Sequence, residues 1–163
     1  LDTGRQLAGK SAITVPDQRW DRRDIKTIQL LPNCLAKQAA SEKGAYEAIM
    51  VMPDGSVSEG SSSNVWILNN ENQLITRQPD EDILNGITRQ SIQRIASERQ
   101  LEIVERSFSV AEMMQAKEVF VTSATSMVTA LTHIDGKKID EGKVGLIASA
   151  LKADYIKYVE TCS

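Results

Sequence analysis

The sequence predicts a mixed α/β domain of the α+β kind, with a mostly antiparallel sheet covered by helices, on three observations. Apolar stretches of strand length recur between turn signals. Several of them are joined by turns too short for a parallel crossover. Segments with apolar residues at three- and four-residue steps fall between these pairs and supply helices to cover one face. A doubly wound parallel sheet does not fit that order. At 163 residues the chain matches one domain of ordinary size.

The opening Leu1 to Lys10 is polar and patternless and reads as a linker, and Leu1 is not an initiator Met, so the chain is expected to begin inside a longer protein. After Pro16, Asp24 to Leu31 has strand character through Ile25, Ile28, Leu30 and Leu31, and Pro32-Asn33 ends it. A helix is expected from Cys34 to Lys43, capped by Asn33 and stopped by Gly44. Ala48 to Met52, the turn Pro53-Asp54-Gly55 and a strand through Val57 read as a hairpin, as do Val65 to Leu68 and Gln73 to Thr76 around Asn69 to Asn72.

Ile87, Ile92, Ile95 and Ala96 lie at helical spacing after Asn85-Gly86, and the polar run Ser97 to Gln100 closes that helix. Ser109 followed by Glu112 is a capping-box pattern for a short helix to Ala116. Glu118 to Thr122 reads as a buried strand, Asp135-Gly136 as a hairpin turn, and Val144 to Val159 as a helix carrying Ile147, Leu151 and Tyr155 on one face.

A hydrophobic fraction of 41% with 25% charged residues describes a globular chain with an aliphatic core. The formal charge of −3 with scattered Lys and Arg gives no basic stripe, which argues against a nucleic-acid footprint or a charged membrane-binding face. No apolar run is long enough for a membrane-spanning helix. Cys34 and Cys162 match no metal spacing and no disulfide framework, which suits a reducing cytoplasm. The single histidine, His133, precedes the Ile134 to Lys137 turn as a hairpin surface residue; a histidine metal cluster is impossible and a serine triad would depend on it alone.

Three junction loops carry hydroxyls or glycine: Glu59 to Asn64, Asn85 to Arg89, and Thr122 to Ser126. The helix opening at Gly86 offers free N–H groups, the positive dipole end and the Thr88 hydroxyl, a set that binds an anion or simply begins a helix. Ser123 to Ser126 is either an anion nest or a plain hydroxyl-rich loop. On the strand expected over Asp24 to Leu31, Lys26 shares a face with Ile28 and Leu30, so its amine would be aimed at apolar surroundings; there it becomes a nucleophile toward a carbonyl, unless it is an ordinary surface lysine. Glu59 shares a face with Val57, and burial there demands a cation, whether a protonated pyridine nitrogen or a neighbouring Arg or Lys.

From about Ser11 to the last helix the chain resembles the C-terminal domain of the fold-type IV pyridoxal phosphate aminotransferases, most closely the D-amino acid transaminase branch. The stretches that carry the resemblance are Asp24-Ile25-Lys26, Leu35 to Gln38, Gly44 to Ile49, Ser58 to Val65, Ile83 to Arg89, Phe120 to Ser123, and Ile134 to Gly136 followed by Asp140 to Gly145. It implies a pseudo-barrel sheet with flanking helices over residues 11–163, pyridoxal 5'-phosphate as cofactor, and the family's N-terminal domain absent from this chain.

By the same resemblance Lys26 is the Schiff-base lysine and proton carrier, and Glu59 keeps the cofactor's ring nitrogen protonated. Gly86, Ile87, Thr88, Ser123 and Ala124 cradle the phosphate, Leu84 packs on the ring, and Ser62, Ser63 and Thr125 face the substrate. Ala124 departs from the family by replacing a usual Thr. The implied reaction is amino transfer between a D-amino acid and a 2-oxo acid by a cytoplasmic homodimer, with little activity for this chain alone. The alternatives are aminodeoxychorismate lyase, a branched-chain or R-amine transaminase of the same fold, and a noncatalytic module binding the cofactor or phosphate.

Overall fold

The computed structural model describes residues 8–161. Most of the expected linker and Cys162 lie outside the described residues. Nine strands form one sheet: β1 (Lys10–Pro16), β2 (Glu47–Val51), β3 (Val57–Gly60), β4 (Asn64–Leu68), β5 (Leu74–Thr76), β6 (Ile103–Glu105), β7 (Glu118–Ser123), β8 (Met127–Ile134) and β9 (Lys137–Lys138). The order is β3-β2-β1-β8-β7-β4-β5-β6, with β9 added to β8. The helices are α1 (Leu31–Glu42), α2 (Ile87–Glu98), α3 (Val110–Met114) and α4 (Leu146–Thr161).

Hairpin neighbours pair antiparallel as their turns dictate, and so does the longer-range pair β4 and β7. Three pairs are parallel: β1 with β2, β1 with β8, and β5 with β6. The sheet curls back on itself. Immediately after β6 the chain returns to the head of β3, where Ser109 bridges Ser56 and the Val57 N–H donates to Phe108 O at 2.9 Å. This is the mixed α/β, pseudo-barrel arrangement expected.

Curling gives the sheet an inside and an outside, and period-two alternation fills both. Along β4 and β7, Val65, Ile67, Val119 and Val121 point inward with Ile49, Leu131 and Met113, while Trp66 and Phe120 point outward. The outer pair stacks with ring centroids 5.9 Å apart and is covered by Ile92, Ile95 and Ala96 of α2 and Ala148 and Leu151 of α4. Helix α1 lies elsewhere on the outer face. Its small Ala36 and Ala40, one turn apart, admit close approach to Ile13, Ala48 and Met50. Burying Ile13 and Met50 there contributes about 1.5–3 kcal/mol each.

The expected strand over Asp24 to Leu31 is not formed. β1 already has partners on both edges and so takes no further strand, and the head of β3 is met by Ser109. The segment turns on itself instead, with Ile25 N–H donating to Arg22 O at 3.2 Å and Gln29 N–H to Thr27 Oγ1 at 3.2 Å. Ile28 is 97% exposed, and Lys26 stands in solvent rather than against apolar neighbours. Asn33 is not a cap. Helix α1 starts earlier, at Leu31, with Pro32 in the first turn where a missing N–H costs nothing. Asn33 Nδ2 donates across to Ser61 O at 2.9 Å. The Ser109 cap is present, accepting from Glu112 N–H at 3.1 Å, but the Glu112 carboxylate turns to Arg106 instead of closing the box.

Candidate functional site

Glu59 near the end of β3 is buried and accepts hydrogen bonds from three neighbours. Arg19 donates to Oε1, Asn64 Nδ2 to Oε2 at 3.0 Å, and the Leu84 N–H reaches both oxygens at 3.3 and 3.2 Å. Burial pushes the Glu59 carboxyl up to about 7, against the opposing pull of the Arg19 charge and these hydrogen bonds. Arg19 is therefore the cation that the buried acid required.

Arg19 is itself clamped. Asp17 accepts from its Nε at 2.9 Å through Oδ1 and from its Nη2 at 2.7 Å through Oδ2, and Ser58 donates to that same Oδ2 at 2.6 Å. Burial raises the Asp17 carboxyl, yet the hydrogen bonds from Arg19 and Ser58 and the Arg19 charge hold it at about 2. From there charges alternate outward: Arg23 pairs with Asp17 at 3.3 Å and with Asp82 at 2.9 Å, and Asp82 also pairs with Arg77.

Asn64 joins the acid to the second feature, the start of α2. Besides holding Glu59 it donates to Leu84 O at 2.8 Å, and Gly86 packs so closely on its carboxamide that a side chain there has no room. Just beyond Gly86 the helix begins with no side-chain cap, leaving its first N–H groups free. The Thr88 hydroxyl in this first turn is buried and has no hydrogen-bond partner. A buried hydroxyl without a partner is costly, and here it stands beside unpaired N–H groups at the positive end of a dipole. The set suits an anion bearing several oxygens.

The third loop reaches the same corner because Asn64 pairs across the sheet with Thr122. It is the tight turn between β7 and β8. Ser123 Oγ lies 2.7 Å from Ser126 Oγ and accepts from Ser126 N–H at 3.2 Å, which shapes the turn. Ala124 and Thr125 at its tip are exposed, and Ile87 is 74% exposed.

Thus Glu59, Leu84, Gly86, Ile87, Thr88, Ser123, Ala124 and Thr125 lie on element ends and loops linked by shared hydrogen bonds or sheet register. Lys26 stands on a loop anchored on both sides of it: Arg23 N–H donates to Glu81 O at 2.9 Å, and Asn33 holds Ser61. Ser62 is exposed, whereas the Ser63 hydroxyl donates to the buried Glu47 at 2.9 Å, a partner that Ser61 shares.

Sequence reasoning gave no role to Asp17, Arg19, Asn64, Glu47 or Arg89. The usable signal was the demand of a buried Glu59 for a cation. Asp17 to Asp24 is so dense in charge that it reads as a solvated surface, and nothing in its spacing marks Arg19 as the buried member. Among the described residues no group of three or more side chains could hold a metal ion, and no helix is long and apolar enough to cross a membrane.

The model of the amino-transferase class IV family matches residues 4–134. The chain is 44% identical over 140 residues to D-alanine aminotransferase of Bacillus licheniformis, covering 86% of this chain and 49% of that protein. With D-alanine aminotransferase of Listeria innocua the identity is 40% over 153 residues, covering 94% and 52%. Among solved structures it is similar to a branched-chain aminotransferase from the thermophilic archaeon Thermoproteus uzoniensis with norvaline, at TM-score 0.80 and 27% identity over 94% of this chain and 52% of that one. A hypothetical aminotransferase from Mycobacterium tuberculosis in its PLP-bound form gives TM-score 0.80 and 25% identity over 90% and 54%. The chain spans about half the length of the curated relatives it matches.

Proposed function

The chain belongs to the class IV aminotransferase family, and from that premise we propose that it is the cofactor-binding half of an enzyme moving an amino group from a D-amino acid to a 2-oxo acid. The observation that carries this reading is the partnerless buried hydroxyl of Thr88, joined through Asn64 to the buried acid Glu59. Pyridoxal 5'-phosphate has a group for each. Its phosphate suits the Gly86 to Thr88 turn, with Ser123 and Ala124 as the second arm, and its ring nitrogen suits Glu59, with Leu84 against the ring. Bound there, the cofactor would supply an electron-withdrawing ring that makes a proton on the substrate Cα removable.

The residues of the chain would then divide the work. A second cation beside Glu59 lowers its raised pKa and keeps it ionised, which in turn keeps the ring nitrogen protonated. Lys26 is the covalent anchor, and its amine moves the proton at the substrate Cα. Ser62 and Thr125, both exposed, face the substrate, with Ser63 behind them on Glu47. Ile25, Ile28, Leu30, Leu31 and Leu35 leave an apolar face on the Lys26 side. An N-terminal domain would cover that face and complete the substrate pocket within a cytoplasmic homodimer, so the chain alone should turn over little substrate. D-amino acids are favoured over branched-chain ones because the D-alanine enzymes stand at 40–44% identity and the branched-chain structure at 27%.

Incubating the chain with pyridoxal phosphate, reducing with borohydride and mapping the modified peptide tests the assignment. Label on Lys26 is expected; label on another lysine, or none, overturns it.

A further inference from the structure

Arg89 follows Thr88 on α2 and is almost wholly buried, its side chain 1% exposed. Such a charge is retained only when it is well paired, and this guanidinium makes four hydrogen bonds, with Nε alone left without a partner. Nη1 donates to Asn85 Oδ1 at 3.0 Å and Gln93 Oε1 at 3.2 Å; Nη2 donates to Arg77 O at 2.8 Å and Glu105 Oε1 at 2.6 Å. The contact with Asn85 crosses the first turn of α2 and fixes the residue just before Gly86. Those with Arg77 and Glu105 tie the same group to chain leaving β5 and to β6.

The guanidinium also lies over the Trp66 ring, 5.8 Å from its centroid. Trp66 in turn donates from Nε1 to Thr122 Oγ1 at 3.0 Å, and Thr122 immediately precedes Ser123. One side chain therefore braces both loops of the anion cradle: the helix start directly, and the β7–β8 turn through Trp66. A lysine cannot replace it. Its ammonium is a single point that cannot span Asn85 and Glu105 or lie flat on an indole.

We propose that Arg89 is a positioning residue for phosphate recognition, holding the two loops at the separation a phosphate needs without touching the phosphate itself. This rests on the function proposed above.

A role in phosphate positioning separates from a role in stability by comparing pyridoxal phosphate with pyridoxal, which lacks only the phosphate. Dissociation constants would be measured by absorbance on the 163-residue chain and on Arg89→Lys and Asn85→Ala. Arg89→Lys should weaken pyridoxal phosphate by about tenfold or more, since the contacts that set the cradle are lost, and pyridoxal by less than about twofold. Asn85 is exposed, so its replacement leaves the core intact. It should weaken pyridoxal phosphate by about threefold and add little in the Arg89→Lys background, because both act through one contact. Should Arg89→Lys fail to fold, Asn85→Ala decides alone. Equal weakening of both ligands, or no change in either, overturns the role of Arg89. If the unaltered chain binds pyridoxal as tightly as pyridoxal phosphate, the phosphate cradle itself is wrong, and the inference falls with it.

Discussion

A Cβ on Gly86 would lie 2.6 Å from Oδ1 of Asn64, nearer than a real side chain ever comes. Gly86 is extended, at φ −62°, so its need for glycine comes from space and not from backbone conformation. Gly86→Ala should therefore drive the Asn64 carboxamide off Glu59 and Leu84, lowering stability by ~1–3 kcal/mol in urea unfolding. Adding Asn64→Ala should cost less than the sum of the two single changes, because the clash is then already relieved.

Glu59 makes stability fall as pH rises. Its folded pKa of about 7 lies above the ordinary 4.5, so between those values the folded chain keeps a proton that the unfolded chain gives up. The unfolding free energy from urea titrations should decline across that window by on the order of a few kcal/mol. Glu59→Gln should flatten the profile there. An unaltered slope would show that Glu59 is ionised throughout.

Asp17 acts with the opposite sign. Its folded pKa of about 2 lies below the ordinary 3.8, so its contribution is full above 3.8 and is lost as pH falls through about 2. Asp17→Asn leaves Arg19 and Arg23 short of a buried partner and should cost about 3 kcal/mol near neutral pH. It should also remove part of the acid sensitivity, read by circular dichroism between pH 4 and pH 2.

The apolar face around Ile28 and Leu35 contributes little to the fold. Ile28→Ser with Leu35→Ser should shift unfolding by no more than about 0.5 kcal/mol, since neither side chain is packed away. Light scattering should nevertheless show less self-association, as two exposed apolar side chains are removed.

How much of this was readable in advance follows from how local each signal is. The turns Pro53-Asp54-Gly55 and Asp135-Gly136 carry their own instruction, and Gly55 and Gly136 indeed adopt positive φ of 84° and 74°. Helix α2 was legible from its spacing and α3 from Ser109. The strand β1 was not, because Ala12 and Ile13 are both buried and leave no alternation to read. Its parallel partners are distant and announce nothing nearby. The error at Asp24 to Leu31 has a related cause: four apolar residues imply burial, and the described chain leaves Ile25, Ile28, Leu30 and Leu31 uncovered. At the candidate site, Thr88 and Glu59 were visible as residue types at junctions. Arg19 and Arg89 were not, since only the packed structure tells a buried arginine from a surface one.

The placement of β1 between β2 and β8 also dictates a timetable. Thr14 is held by both carboxylate oxygens of Asp135, 121 residues later, at 2.8 and 2.7 Å. During synthesis β1 and β2 can pair early, but the other edge of β1 stays open until β8 and Asp135 have left the ribosome. An unpaired central edge is a template for the wrong neighbour. The chain is thus most exposed to misassembly between the synthesis of β2 and that of β8, and pausing just before Asp135 would prolong that interval.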